Sequence, residues 1–239
     1  MTIINTRPKS LSENLNKASS KLNIDILNIY MSEIIDTKED NEIWEPFIKN
    51  ISDYKNIIFL SQTSVAKGVD LIGKSHDLVS LENNFYSVGE RTSAALKAIG
   101  VESTSPKNQS AAGLYEMIDK NTKSLIFCGK HSNNYIQSKL KANADTIYCF
   151  ELIYNKSEIL KIDNKNADVI LIFNSLTFKK IFEYCEIENL LNKKFLFASQ
   201  SIFAKAQNIC HDSKIQGMEL YFQDEFNDGS MLTRAISLT

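Results

Sequence analysis

A strand-turn-helix pattern that recurs six times restricts the fold of this chain more than any other feature. It appears in "TIINTRPKSLSENLNKASSKL", "NIIFLSQTSVAKGVDLI", "FYSVGERTSAALKAIG", "KSLIFCGKHSNNYIQSKL", "DVILIFNSLTFKKIFEY" and "KFLFASQSIFAKAQNI". Each copy opens on a short apolar run, passes through a turn of small polar residues, and continues with apolar residues at helical spacing. Runs such as "IIFL" and "VILI" are apolar throughout, the pattern of strands buried on both faces. Strands of that kind, alternating with helices, predict an α/β fold of parallel sheets covered by helices on both sides. With 239 residues and 43% hydrophobic content the chain can bury one large core or two small ones. Its 8 Gly and 3 Pro give no sign of a flexible linker.

The pattern also repeats at a longer range. "IIFLSQT" (57–63) resembles "LIFNSLT" (171–177), "NIDILNIYM" (23–31) resembles "NADTIYCFE" (143–151), and "SVGERTSAAL" faces "FASQSIFAKA". The three pairs keep their order at similar separations, so two homologous halves of three units each are expected.

In open α/β sheets ligands lie beyond the carboxyl ends of the strands, where turns and helix N-termini present backbone N–H groups. The turns predicted there carry Thr6 and Arg7, Ser61 to Thr63, Gly89 to Thr92, Gly129 to Ser132, Asn174 and Ser175, and Ser199 to Ser201. Hydroxyls and amides at these places serve equally as helix N-caps, each worth roughly 1 kcal/mol. The cations are more informative. The chain holds three arginines, and two of them, Arg7 and Arg91, fall in these turns. A cation at a helix N-terminus opposes the helix dipole, so Arg91, and Lys130 in the equivalent turn, look placed for an anion; a surface arginine paired with Glu90 is the competing reading.

Other chemistry is disfavoured. A net charge of -2 supplies no general basic field for nucleic acid or an anionic membrane. No apolar run approaches a membrane span, and the start "MTIINTRP" has no basic-then-apolar leader, so a cytoplasmic protein is expected. Cys128, Cys149, Cys185 and Cys210 form no C-x-x-C pair and read as reduced core residues. His76, His131 and His211 are not spaced as metal ligands, and no turn has the glycine pattern of a nucleotide loop. The expected site binds a carboxylate-rich small molecule without metal or other cofactor.

These residues carry a resemblance to the uroporphyrinogen-III synthase family. "INTRP", "IIFLSQTSV", "SVGERTSAALKAIGV" followed by "SAAGLYEMI", then "IFCGK", "FELIYN", "LIFNSLTF" and "FASQSIFAKA" follow the order of that family's "TRP", "FTSxxAV", "VGxxTAxxLxxxG", "SxxLL", "RGxxGR", "VYR", second "FTS" and "S/GxxTAxxA". The likeness runs over nearly the whole chain. It departs from the pattern where "RGxxGR" is "CGKHSNNY", where "VYR" is "IYN", and where the second "TA" is Ile202-Phe203.

The resemblance implies two flavodoxin-like α/β lobes joined by a two-stranded linker near "YMSEIID" and "FELIYNKSE". Domain one would comprise residues 1–35 and 160–239, and domain two residues 40–153. It implies a cofactor-independent enzyme, monomeric by default, that closes the linear tetrapyrrole hydroxymethylbilane to uroporphyrinogen III with inversion of ring D. Loss of the terminal hydroxyl would leave an azafulvene, and attack by ring D would give a spiro intermediate that fragments and recloses. Tyr154, at the end of "FELIY", would assist departure of the hydroxyl; the competing reading is an interfacial aromatic. Arg7, Ser61, Gly89, Arg91, Thr92, Lys130, Ser175, Ser199 and Ser201 would contact substrate carboxylates, while Ile202 would offer only backbone. The rival function is a non-catalytic two-lobed binder of an anionic metabolite or tetrapyrrole.

Overall fold

The computed structural model describes residues 2–37, 41–164, 166–223, 225 and 227–239. Its strands are Ile3–Asn5 (β1), Ile26–Asn28 (β2), Ser32–Asp36 (β3), Asn56–Phe59 (β4), Asn84–Ser87 (β5), Ser124–Gly129 (β6), Ala144–Tyr154 (β7), Val169–Ile172 (β8), Lys194–Phe197 (β9) and Glu219–Phe222 (β10). The helices are Glu13–Lys21 (α1), Asn41–Lys49 (α2), Gln62–Ile72 (α3), Glu90–Lys97 (α4), Ala111–Met117 (α5), Tyr135–Leu140 (α6), Lys156–Ile159 (α7), Ser175–Tyr184 (α8), Ile187–Leu190 (α9), Gln200–Asp212 (α10) and Asp228–Ser237 (α11). All six predicted strand-turn-helix units are present. The most apolar runs become buried strands: every residue of β4, β6 and β8 is buried.

The chain forms two compact units, Met1–Ile34 with Ile153–Thr239, and Ile35–Leu152. It passes from one to the other within β3 and returns within β7.

The first unit holds a sheet of order β10-β9-β8-β1-β2, parallel at every pairing. Counted along the chain, that is the second-first-third-fourth-fifth order of flavodoxin-like folds. Alternate residues of each strand enter opposite core layers, as a period of two requires. Ile4, Ile170, Phe195 and Phe197 pack with Phe178 and Ile181 of α8 and Ala206 of α10. Ile3, Val169, Leu171 and Leu196 pack on the other face with Leu15 of α1 and Met231, Leu232 and Ala235 of α11. Full burial of each such side chain is worth about 1.5–3 kcal/mol.

The second unit holds a sheet of order β3-β7-β6-β4-β5, in which β5, β4, β6 and β7 pair in parallel. Ile58 and Ile126 pack under α5 and α6 through Leu114, Ile118, Ile136 and Leu140. Phe59 and Phe127 stack with their ring centres 4.9 Å apart. Gly68 lets α3 lie against these rings, because a Cβ there would come within 2.7 Å of Phe59.

The repeat read in the sequence pairs β4 with β8, β2 with β7 and β5 with β9. In each case the two partners lie in different sheets, so each sheet draws strands from both halves of the chain. The "F-x-S-x-T" match is displaced by one residue from the strand ends. β4 ends at Phe59, whereas β8 ends at Ile172, one residue before Phe173. Ser61 therefore caps its helix while Ser175 is the first residue inside one.

Candidate functional site

The turns at the carboxyl ends of the strands hold the predicted residues, and in the first unit most of their polar groups are satisfied internally. After β1, buried Asn5 donates from Nδ2 to Ser12 Oγ at 2.9 Å and Asn28 Oδ1 at 2.7 Å, and its Oδ1 accepts the Arg7 N–H at 3.0 Å. Thr6 Oγ1 donates to the Leu171 carbonyl at 2.7 Å. The Arg7 guanidinium, expected to meet a ligand, grips Asp228 bidentately at 2.9 and 2.8 Å and lies 3.7 Å above the Phe173 ring. Asp228 is the first residue of α11, where a carboxylate also favours the helix dipole. Arg7 thus fastens α11 to the turn after β1, a contact across 221 residues of chain.

Tyr154 closes β7. Its phenol lies 3.1 Å from Thr177 Oγ1 and 3.3 Å from Asn174 Oδ1, at the N-terminus of α8. The Asn174 side chain is also the N-cap, accepting the Thr177 N–H at 2.7 Å. Burial pushes the Tyr154 phenol above its ordinary value, against the two hydrogen bonds to Thr177 and Asn174 that pull it down. It is therefore a neutral donor at physiological pH. Ser175, with its neighbour Asn174 doing the capping, keeps a hydroxyl that bonds to no described group. Ser199 caps α10 by accepting the Ile202 N–H at 3.3 Å, and Ser201 is exposed. Ile202 fills both core layers of the unit, which explains an apolar residue in that turn.

The turns of the second unit are built differently. Ser61 and Ser64 form a reciprocal capping box on α3, with Ser64 N–H to Ser61 Oγ at 3.0 Å and Ser61 N–H to Ser64 Oγ at 2.9 Å. At the next turn the N-cap of α4 is Gly89, which has no side chain to accept the first N–H groups. Its backbone is extended, and a Cβ there would come within 2.9 Å of Gln109 Oε1 and 3.2 Å of Gln109 Cβ, so a side chain at this position would have to displace Gln109. Gln109 itself sits at φ 47°, an uncommon backbone for a residue with a side chain. Thr92 is buried in the first turn of α4, with a hydroxyl that bonds to no described group, and Arg91 beside it is half-buried. After β6, Lys130 is exposed and its Nζ lies 3.4 Å from Glu151 Oε2. His131 Nε2 lies 3.0 Å from Glu151 Oε1.

The sequence points to neither Gln109 nor Glu151 and presents Asn174 as one turn residue among several. Asn174 and Thr177 do have the three-residue spacing of a cap, a signal that was legible. Gln109 and Glu151 reach their partners through tertiary packing, and no local pattern announces them. Among the described residues no group of three or more His, Cys, Asp or Glu side chains is placed to hold a metal. No described helix is long and apolar enough to cross a membrane.

A family model described as uroporphyrinogen-III synthase HemD matches residues 14–209. Curated protein sequences give no significant match. Among solved structures, a mutant uroporphyrinogen III synthase from the extremely thermophilic bacterium Thermus thermophilus aligns over 100% of both chains at 12% identity, with a TM-score of 0.73. The wild-type enzyme from the same organism in another crystal form gives 0.59 at 12% identity over 99% of this chain and 98% of that one. Uroporphyrinogen-III synthetase from Helicobacter pylori gives 0.58 at 14% identity, covering 100% of this chain and 99% of its own. At such identities the solved structures speak for the two-unit α/β fold, and the family model speaks for descent. The chain belongs to the uroporphyrinogen-III synthase family.

Proposed function

We propose that this chain carries out its family's reaction, cofactor-free closure of hydroxymethylbilane to uroporphyrinogen III with ring D inverted, through one buried phenol and a set of carboxylate-binding turns. The observation that carries the reading is the Tyr154 hydroxyl, neutral, largely buried and held at two points by Asn174 and Thr177. A neutral phenol can hydrogen-bond to the departing hydroxyl of the substrate, which leaves as water with the proton given up by the nitrogen of its own pyrrole ring, so that no net charge is left on the phenol beside the azafulvene. The 3.3 Å bond to Asn174 is the weaker of its two and the one a substrate hydroxyl would replace. The remaining steps need control of geometry more than reactive groups, because an unguided chain closes to the symmetric isomer.

In the second unit we assign carboxylate contacts to Thr92, Arg91, Lys130 and the backbone N–H groups that follow Gly89. In the first unit we assign them to the unengaged hydroxyls of Ser175 and Ser201. Ser61 and Ser199 act as caps, so their contribution is an ordered helix N-terminus rather than a hydroxyl. Arg7 has its fork engaged by Asp228 and supports the turn instead of meeting the substrate directly. A monomer acting in the cytoplasm completes the proposal; light scattering after gel filtration checks the first part.

The deciding experiment generates hydroxymethylbilane in place, oxidises the products and separates isomers I and III with and without the protein. Predominance of isomer III supports the reading. Isomer I alone, from folded protein, would shift the function to non-catalytic binding of a tetrapyrrole or another anionic metabolite.

A further inference from the structure

We propose that Glu151 is a positioning residue for the basic turn after β6, and that His131 joins Lys130 as a second hydrogen-bonding contact for one substrate carboxylate. The proposal rests on the assignment of Lys130 as a substrate contact and adds two residues to it.

The turn is built against β7 in an unusual way. The parallel register runs from Ser124 opposite Ala144 to Cys128 opposite Tyr148, and then shifts so that Gly129 lies opposite Phe150. This bulge omits Cys149 from the ladder and advances β7 by one residue relative to the turn, as bulges do where a side chain is re-aimed. Three contacts follow. The Lys130 N–H donates to the Phe150 carbonyl at 2.9 Å. The Phe150 ring lies over Gly129, so that a Cβ there would meet it at 2.7 Å. Glu151, the next residue, reaches both side chains of the turn, with Oε1 3.0 Å from His131 Nε2 and Oε2 3.4 Å from Lys130 Nζ.

Exposure shows which way this group faces. The Glu151 side chain is 20% exposed, whereas those of Lys130 and His131 are 51% and 52% exposed. The carboxylate stands behind and the two basic side chains stand in front, half in water. Lysine has a long stem and many rotamers, and a fixed carboxylate limits the directions its ammonium takes. The Lys130 ammonium has three donors, and those not turned to Glu151 are left for a further anion from the solvent side. Arg7 and Asp228 differ in this respect: their side chains are only 10% and 16% exposed, and each neutralises the other with little contact to solvent.

The proposal is tested by steady-state kinetics of isomer III formation for wild type, Lys130→Ala, His131→Ala, Glu151→Gln and the double variant Lys130→Ala/Glu151→Gln, with a melting curve for each. Glu151→Gln is expected to raise KM about three- to tenfold at unchanged kcat, the range for a charge acting through a neighbour. His131→Ala is expected to raise KM as well. The double variant is expected to exceed the KM of Lys130→Ala by less than the full Glu151→Gln factor, since Glu151 acts through that lysine as well as through His131. A KM for Glu151→Gln that is unchanged or lower overturns the proposal, as do independent multiplying effects in the double variant. A melting temperature lowered by more than a few degrees in Glu151→Gln would make Glu151 a support of the fold and also overturn it. Unchanged KM in Lys130→Ala would remove the lysine contact itself, and a normal isomer III ratio alongside would leave the family reaction intact.

Discussion

The two units share an architecture and differ in what their turns leave unsatisfied. In the first, α8, α10 and α11 are each capped by a side chain, the arginine of the first turn is held by a carboxylate, and the tyrosine hydroxyl is tied to a helix N-terminus. In the second, one helix is closed by a capping box, but the next begins at a bare glycine, with a buried threonine behind it and a basic pair exposed in the turn after β6. The second unit leaves a bare helix N-terminus and an exposed basic pair, while the first holds its phenol in place. The same strand-turn-helix pattern thus gives a firm turn or a receptive one, according to which residue caps the helix.

The largest expected effect tests the firm side. Arg7→Ala leaves Asp228 without its partner at a poorly exposed position and is expected to destabilise the protein by about 3 kcal/mol in denaturant unfolding. The kcat of folded protein should stay near wild type; a large loss of turnover with little loss of stability would return Arg7 to the substrate. Next come the caps. Ser61→Ala and Ser199→Ala should each lower stability by about 1 kcal/mol. Ser61 should be the more costly, since it loses a reciprocal pair where Ser199 loses one bond of 3.3 Å. Equal values would weaken the contrast between the two kinds of turn.

The smallest effect at neutral pH concerns the thiols. Burial pushes Cys128 up to about 11 and Cys149 and Cys185 up to about 12, and raises Cys210 as well. A thiol reagent at pH 8 should label none of the four in the folded protein. Because the unfolded chain ionises these thiols first, their contribution is complete below about pH 8.5 and is lost as pH rises towards 11 and 12. In Arg7→Ala, Cys185 and Cys210 should become reactive before Cys128 and Cys149. The reverse order would mean that Arg7 does not hold the first unit together.

Much of the fold was legible because parallel strands buried on both faces leave a mark that local composition preserves, as in "NIIF" and "VILI". The edge strand "ELYF" and the final helix Asp228–Ser237 were not read. The strand is half-buried at every residue, and the helix opens on Asp-Gly-Ser, residues that equally suit a turn. The turns were also found, but not their internal bonds. Matching Ser61 to Ser175 by sequence hid the fact that Asn174 is the cap, because β8 stops one residue before Phe173. The partners of Arg7 and Lys130 were beyond reach for a different reason: Asp228 and Glu151 meet them only through the tertiary fold, the first across 221 residues.

The most direct test of the account is the rate of isomer III formation against substrate concentration for Tyr154→Phe and Thr92→Val, measured beside wild type. Removing the phenol should lower kcat on the order of 10²-fold with little change in KM. Removing the threonine hydroxyl should raise KM with kcat nearly intact. Unchanged turnover in Tyr154→Phe, or a kcat effect confined to Thr92→Val, would contradict the division of labour proposed for the two units.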